Sequence, residues 1–115
     1  MRHKTIEQLI EKIRKSIDAH RLAQPIMELL GMEPTIPAVA YYRAGRPVWS
    51  VEYDTCCWYL YHYGVLLLSY DEQTGEVNEW VDTISVSDQQ GMNGFLNALG
   101  VNYYVRRAGR TARYA

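Results

Sequence analysis

The spacing of the apolar residues changes near Ala38, and this change divides the chain into a helical part and a strand-forming part. Before it, apolar side chains recur three and four positions apart, which places them on one stripe of an α-helix. The stripe consists of Ile6, Leu9, Ile10, Ile13 and Ile17. After it, apolar and polar residues alternate, as they do along a half-buried strand. Because no βαβ rhythm is present, the pattern predicts an α+β fold with an antiparallel sheet.

The N-terminal part is expected to form a pair of helices. Thr5 and Gln8 have the spacing of a capping box at the start of the first helix. Pro25 is expected to end that helix by residues 22–23, because the residue before a proline avoids the α-helical region. Pro25 can then begin a short second helix, which Gly31 would close as a left-handed cap.

Turn signals divide the next part of the chain into five predicted strands. Ala44 and Gly45 indicate one hairpin turn, Gly64 indicates another, and the polar segment 71–75 indicates a third. The strands are expected at residues 38–43, 47–53, 56–63, 65–70 and 76–86.

One further helix and a final hairpin complete the predicted layout. Ser87 and Gln90 are spaced as a capping box, and an apolar helical stripe follows at Met92, Phe95, Leu96 and Leu99. Residues 101–107 and 110–115 would then form a C-terminal hairpin. The prediction is a single domain over residues 1–115, with an N-terminal helix pair, an antiparallel sheet of five to seven strands, and one further helix before a C-terminal hairpin.

Charge is strongly segregated along the chain. Between Pro47 and Val105 there is no lysine or arginine, whereas the flanking segments are basic, so the net charge of −1 hides a dipole in sequence. The base-free stretch carries eight carboxylates: Glu52, Asp54, Asp71, Glu72, Glu76, Glu79, Asp82 and Asp88. Ten tyrosines and three tryptophans stand beside one phenylalanine, and their polar tips suit interfaces or half-buried sheet faces.

The acids and aromatics together predict a surface that binds another protein. A row of carboxylates on one sheet face could imitate a phosphate backbone or dock on a basic groove. The alternative is an ordinary solvated sheet face. The residues predicted to bind are the acids Glu52, Asp54, Glu76, Glu79 and Asp82 and the aromatic anchors Trp58, Tyr59, Tyr61 and Trp80.

The C-terminal arginines suggest a different partner, a nucleic acid. Arginine interleaved with tyrosine suits phosphate contact and base stacking. The residues of this alternative are Arg106, Arg107, Arg110, Arg113, Tyr103 and Tyr104. The same arginines could instead pair with the central acids, within one molecule or between two. A homodimer joined by the sheet edge or by the first helix is also open.

No arrangement of catalytic residues is expected, so the chain is predicted not to be an enzyme. Cys56 and Cys57 are adjacent, so on a strand they would point to opposite faces. His62 would share a face with Cys56, but about 20 Å away along a straight strand, whereas a nucleophile and its base need to approach to about 3 Å. Only a tight turn between the two residues would bring them together, and an enzyme that uses Cys56 or Cys57 is a further alternative. Glu52 and Asp54, roughly 7 Å apart on one strand face, leave acid–base chemistry as an alternative.

The sequence predicts no metal site and no cofactor. The three histidines, His3, His20 and His62, fall on different elements, and no segment spells an EF-hand. The adjacent cysteines form neither a disulfide framework nor a C-x-x-C motif. The N-terminus is typical of an amphipathic helix rather than a signal peptide, and the longest apolar stretch, residues 56–68, is too short to span a bilayer. A cytoplasmic location without membrane contact is therefore expected.

Two segments resemble small uncharacterised proteins of phages and mobile elements. Those proteins carry an S-Y-x-T strand and then a polar cap leading into an N-x-F-L helix, to which residues 50–57 (SVEYDTCC) and 85–96 (SVSDQQGMNGFL) are similar. Here two residues separate Ser50 from Tyr53, and the histidine often found in the cap is absent. The resemblance covers about the middle half of the chain. It implies a small non-enzymatic accessory protein; some such phage proteins, including anti-CRISPR inhibitors, bind a bacterial defence complex.

Overall fold

The computed structural model describes residues 2–31 and 38–107, which form a five-stranded antiparallel sheet and two helices. The strands follow one another across the sheet in chain order, and each is hydrogen-bonded to the next. The predicted α+β class with an antiparallel sheet is confirmed. In chain order the elements are α1 (Lys4–Leu29), β1 (Val39–Arg43), β2 (Arg46–Asp54), β3 (Cys57–His62), β4 (Val65–Asp71), β5 (Val77–Glu79) and α2 (Val86–Ala98).

The N-terminal part is one helix, not the predicted pair, because α1 continues through Pro25. A proline weakens a helix by one missing hydrogen bond and one steric clash, but it does not forbid the helix. One side-chain hydrogen bond spans the proline: Gln24 Nε2 donates to Glu28 Oε1 at 3.0 Å. Only the first half of α1 is buried, whereas the second half carries an exposed apolar stripe in which Leu22 and Leu29 are 84% and 86% exposed.

Both helices begin earlier than their predicted capping boxes. His3 is the N-cap of α1, and its Nδ1 accepts a backbone N–H of the first turn at 3.4 Å. Ser85 is the N-cap of α2: its Oγ accepts the N–H of Asp88 at 3.0 Å, and Asp88 Oδ2 accepts the N–H of Ser85 at 2.9 Å. The boxes predicted to begin at Thr5 and Ser87 are therefore wrong by two residues each. His3 caps α1, and Asp88 takes the place of the glutamine or glutamate in the capping box of α2. The prediction relied on serine or threonine followed three residues later by glutamine, so it missed both caps.

Two-residue turns with left-handed backbone connect the first strands. The turns predicted at Ala44–Gly45, at Gly64 and at residues 71–75 each join two strands, as expected. A further turn, Thr55–Cys56, was not predicted; its φ angles are 49° and 65°. Positive φ is uncommon outside glycine, so no sequence signal marked it. Cys56 therefore lies in a turn, and the expectation that it shares a strand with its neighbour is wrong.

The fifth strand is much shorter than the predicted segment 76–86. It pairs with β4 only through Leu68, Ser69 and Tyr70. The Trp80 N–H still donates to the Leu67 carbonyl at 2.9 Å; the chain then leaves the sheet, and Ile84 is buried in the core. Apolar and polar residues are interspersed along the segment 76–86, but most of the segment does not pair with another strand.

The core lies between one face of the sheet and the two helices. It unites buried side chains of the strands and of both helices in one cluster: Trp49, Val51, Trp58, Leu60, Leu68, Ile6, Ile10, Ile13, Met92, Phe95 and Leu96. Because both helices contribute to the same cluster, both pack on the same face of the sheet.

The predicted C-terminal hairpin does not form in its described part, because residues 101–107 contain no strand. Instead, Asn93 of α2 binds both backbone groups of Val105. The Val105 N–H donates to Asn93 Oδ1 at 2.7 Å, and Asn93 Nδ2 donates to the Val105 carbonyl at 3.1 Å. The backbone N–H and carbonyl of Val105 are thus not available to a neighbouring strand. The expected second strand, residues 110–115, lies outside the described residues.

Candidate functional site

The face of the sheet opposite the two helices carries polar and aromatic side chains. Side chains alternate along a strand, so those between the core residues point to this face. We define the open face by Ser50, Glu52, Asp54, Cys57, Tyr59, Tyr61, Ser69, Asp71, Asn78 and Trp80.

Cross-strand pairing brings three carboxylates together on the open face. Asp54 lies opposite Cys57, and Cys57 lies opposite Asp71, so the thiol stands between two acids. Glu52 lies opposite Tyr59, two residues along β2 from Asp54. The alternation of residues along β2 predicts that Glu52 and Asp54 share a face. The position of Asp71 beside them depends on the register between β3 and β4, which this alternation does not determine.

The hydrogen-bond donors to these carboxylates are neutral groups. The Tyr61 hydroxyl donates to Glu52 Oε2 at 3.1 Å, and the Thr55 hydroxyl donates to Asp54 Oδ1 at 3.0 Å. Backbone N–H groups of the following turn donate to Asp71 Oδ1 at 2.8 and 3.2 Å. Within residues 2–31 and 38–107, none of the three carboxylates pairs with a lysine or arginine. Neutral donors leave the charge in place, so the open face keeps a negative field.

Burial controls the protonation of the groups beside these acids. It raises the pKa of the Cys57 thiol above its ordinary value, and the charge of Asp71 adds to that effect. Burial also raises the pKa of Tyr59, and together with the hydrogen bond to Glu52 it raises the pKa of Tyr61. A protonated thiol is a weak nucleophile, and protonated tyrosines serve as hydrogen-bond donors.

The two tryptophans among the predicted anchors lie in different places. Trp80 is 56% exposed on the open face, where its Nε1 donates to Ser69 Oγ at 2.9 Å. Trp58 is 1% exposed and belongs to the core, where its Nε1 donates to Glu72 Oε1 at 2.6 Å. Trp58 is therefore corrected from a surface anchor to a core residue, because it falls on the helix-covered side of β3.

The three other predicted acids, Glu76, Glu79 and Asp82, do not lie together. Glu79 lies opposite the core residue Leu68, on the helix-covered side, and accepts a hydrogen bond from the Tyr103 hydroxyl. Glu76 and Asp82 are exposed in the segments before and after β5. The structure thus brings five of the predicted binding residues together on the open face: Glu52, Asp54, Tyr59, Tyr61 and Trp80.

The predicted arginine cluster is only partly described. The Arg106 guanidinium lies 5.5 Å from the centroid of the Tyr104 ring, and both residues are exposed. Arg107 turns toward the body of the protein, where its Nε donates to the Ile84 carbonyl at 3.1 Å. Arg110 and Arg113 lie outside the described residues. Arg106 and Tyr104 therefore form the exposed arginine–tyrosine pair in the described part of this segment.

A second polar cluster, at the far end of β3, escaped the sequence analysis. His62 Nδ1 lies 2.6 Å from Asp88 Oδ1, and the imidazole stacks on Trp49 with ring centroids 3.8 Å apart. The sequence presents His62 only as a distant partner for Cys56 and Asp88 only as one of many acids. A core-facing histidine on a strand and an acid in the first turn of a helix were the available signals. Their meeting depends on how α2 packs on the sheet, which no local pattern encodes.

Metal ligands, membrane-spanning helices and similar proteins are each independent guides to function. In residues 2–31 and 38–107, no group of three or more His, Cys, Asp or Glu side chains is placed to hold a metal ion. No helix in the same ranges combines the length and apolar character needed to cross a bilayer. Comparisons with protein-family models, with curated proteins and with solved structures found no match.

Proposed function

We propose that this chain is a small non-enzymatic protein that binds another protein through the open face and blocks it stoichiometrically. The supporting observation is the group of three carboxylates, Glu52, Asp54 and Asp71, whose donors are all neutral. Negative charge that pairs with no lysine or arginine among residues 2–31 and 38–107 favours a basic groove on the partner. The exposed indole of Trp80 supplies the kind of aromatic anchor on which binding energy concentrates.

The similarity of residues 50–57 and 85–96 to proteins of phages and mobile elements supports a more specific form of the proposal. The protein would act in the cytoplasm of a bacterial host as an inhibitor of a defence complex, in the manner of anti-CRISPR proteins. Complexes that handle nucleic acid carry basic grooves for phosphate groups. A carboxylate-bearing sheet face can occupy such a groove in place of the phosphates.

The test is capture of the partner by charge-matched variants of the tagged protein. Glu52→Lys with Asp54→Lys reverses the charge of the open face, and Glu11→Lys with Asp18→Lys makes the same change at exposed positions of α1. We expect a partner from a host extract to be retained by the wild type and by the α1 variant, and to be lost by the open-face variant. Retention should also fall steeply as salt rises.

The partner is then purified and its complex is measured by isothermal titration. A stoichiometry that corresponds to one open face per binding site supports the proposal. Equal affinity of the open-face variant and the wild type would show that the proposal is wrong, provided that circular dichroism finds both variants folded.

A nucleic acid is the second candidate partner, and the Arg106 guanidinium over the Tyr104 ring is the observation in its favour. Such binding would show a logarithm of affinity that falls linearly with the logarithm of salt concentration. Arg106→Ala would weaken it and reduce the slope. Failure to bind single-stranded DNA or RNA at low salt excludes this candidate.

A further inference from the structure

A cleft of about 490 Å³ lies at the end of β3 that is remote from Cys57. This volume falls within the range of small-molecule sites, roughly 300–1,000 Å³. The start of α1, the β1–β2 hairpin and the first turn of α2 all contribute to its walls. Its polar and aromatic lining consists of His3, Thr5, Tyr41, Arg43, Trp49, His62, Tyr63, Ser85 and Ser87.

The walls of the cleft offer hydrogen-bond donors and a positive charge. None of the side chains that line it is a carboxylate, and Arg43 is charged at every physiological pH. His3 accepts a backbone N–H at Nδ1, so its Nε2 is the nitrogen that carries the proton. Asp88 does not line the cleft, and both of its oxygens are engaged, one by His62 and the other by the N–H of Ser85. An anion is the ligand that matches this set of groups.

His62 forms a rigid part of the cleft wall. Its side chain is only 9% exposed, and its ring lies nearly parallel to the Trp49 indole, with an interplanar angle of 7°. Nδ1 faces the Asp88 carboxylate and carries the proton, so Nε2 of the neutral ring is an acceptor and does not donate to an anion. A wall that is already ordered loses little conformational entropy when a ligand binds against it.

The cleft also has aromatic walls that a bare oxyanion would not use. Tyr41 and Tyr63 line it and are exposed. The Arg46 guanidinium lies 5.6 Å from the centroid of the Tyr63 ring and covers one side of it. Exposed phenol rings beside an anion-binding group favour a ligand that has a flat ring close to its charge.

We propose that this cleft binds a small phosphate monoester with an aromatic or heterocyclic ring. Arg43 and the Nε2–H of His3 donate hydrogen bonds to the phosphate, and the ring packs against Tyr41 and Tyr63. The site uses residues at the helix-covered end of the sheet, so it is separate from the open face and does not depend on the function proposed for that face.

The experiment is isothermal titration of the full chain with phenyl phosphate, inorganic phosphate and benzyl alcohol. We expect saturable binding at one site, tightest for phenyl phosphate, weaker for inorganic phosphate and absent for benzyl alcohol. Arg43→Ala should weaken phenyl phosphate at least about tenfold, because it removes a charge-assisted hydrogen bond. Arg21→Ala removes the same charge from the exposed half of α1 and should leave the affinity within about twofold of the wild type.

Tyr63→Ala tests the ring separately, since it should weaken phenyl phosphate and leave inorganic phosphate unchanged. Absence of saturable binding, or equal weakening by Arg43→Ala and Arg21→Ala, overturns the site. Equal affinity for phenyl phosphate and inorganic phosphate overturns the assignment of the ring. All three variants change exposed residues, so loss of the fold, checked by circular dichroism, is not expected to obscure the result.

Discussion

Gly91 and Gly94 lie on the side of α2 that touches β2 and the start of α1. A Cβ at Gly91 would overlap the indole of Trp49, and a Cβ at Gly94 would overlap the Cβ of His3. Each glycine disfavours the isolated helix by about 1 kcal/mol relative to alanine. That intrinsic cost is offset because the missing side chains allow the elements to approach closely.

Gly91→Ala should therefore destabilise the protein, although alanine is the better helix former. Overpacking in a close contact costs about 1–3 kcal/mol, and the free energy of unfolding in urea measures it. Ser87→Ala, at an exposed position of the same helix, should change stability by less than about 0.5 kcal/mol. A gain in stability from Gly91→Ala would contradict the close contact.

His3 should make stability depend on pH. Burial is the main reason that the pKa of His3 lies below the ordinary 6.5, so the unfolded chain takes up this proton more readily than the folded protein. The free energy of unfolding should therefore fall as the pH drops below about 6.5. His3→Asn keeps a good N-cap without the titration, so it should reduce this dependence in urea denaturation between pH 7.5 and 5.5. His20→Asn is the control, and the same loss in both variants would contradict the role of His3.

At the scale of elements, aromatic donors take the place of bases in the strands. Within the base-free stretch, the Trp58 indole and the Tyr53 hydroxyl both donate to Glu72, at 2.6 and 3.2 Å. The Tyr61 hydroxyl donates to Glu52 in the same way on the opposite face. Tyrosine and tryptophan thus supply hydrogen-bond donors to carboxylates in a part of the chain that has no lysine or arginine. Because these donors are neutral, the carboxylates keep their negative charge.

The turns show how much of the sheet the sequence could predict. Three turns carry glycine, and all three were located correctly because only glycine adopts left-handed backbone without strain. Thr55 and Cys56 also form a left-handed turn, but neither is glycine, so the sequence did not predict this turn. The shortness of β5 and the packing of Val105 on Asn93 are set by contacts between distant residues. For the same reason the open face could be predicted in part, from alternation, while the His62–Asp88 pair could not.

Pro25→Ala should strengthen the exposed half of α1. The substitution restores a backbone N–H and removes a clash that together disfavour a helix interior by about 3 kcal/mol. Since this half of the helix is not buried, most of the effect should be local. Hydrogen exchange of residues 21–29 should slow markedly, with little change for Ile6 to Ile13. Unchanged exchange near residue 25 would contradict a continuous helix there.

Asp88 joins α2 to β3, and Asp88→Ala should weaken that contact. Burial raises the pKa of this carboxyl, but the hydrogen bonds from Ser85 and His62 outweigh it and hold the pKa below the ordinary 3.8. Its contribution is therefore present above that pH and is lost as the pH falls through the lowered value. We expect a loss of roughly 1–2 kcal/mol at pH 7, which urea denaturation measures. The difference from the wild type should shrink toward pH 3, and a constant difference would contradict the ionic role.

At the scale of the whole molecule, the sheet and both helices share one core. The two surfaces that we propose to bind ligands lie on different parts of this framework. The open face is on the side away from the helices, and the cleft is at the end where α1, α2 and the β1–β2 hairpin meet. A charge reversal on one surface should therefore leave the other unchanged.

The single domain predicted from the sequence should unfold in one cooperative transition. Trp49 and Trp58 are buried in the common core, so their fluorescence reports the core, while far-ultraviolet circular dichroism reports the helices. Both signals should give the same urea midpoint. Two separated midpoints would show that α1 or α2 unfolds independently of the sheet.

The chain-order arrangement of the strands has a consequence for how quickly the protein folds. Each strand pairs with the one that precedes it, across a short turn, so the sheet needs little loop closure. Proteins dominated by such local contacts fold faster than sandwiches of similar size, whose strands pair over long distances in sequence. The contact between α1 and α2 joins segments near opposite ends of the chain, for example where Arg14 donates to the Ala98 carbonyl at 3.4 Å. We therefore expect the sheet to form early and the docking of α2 against α1 to limit the folding rate.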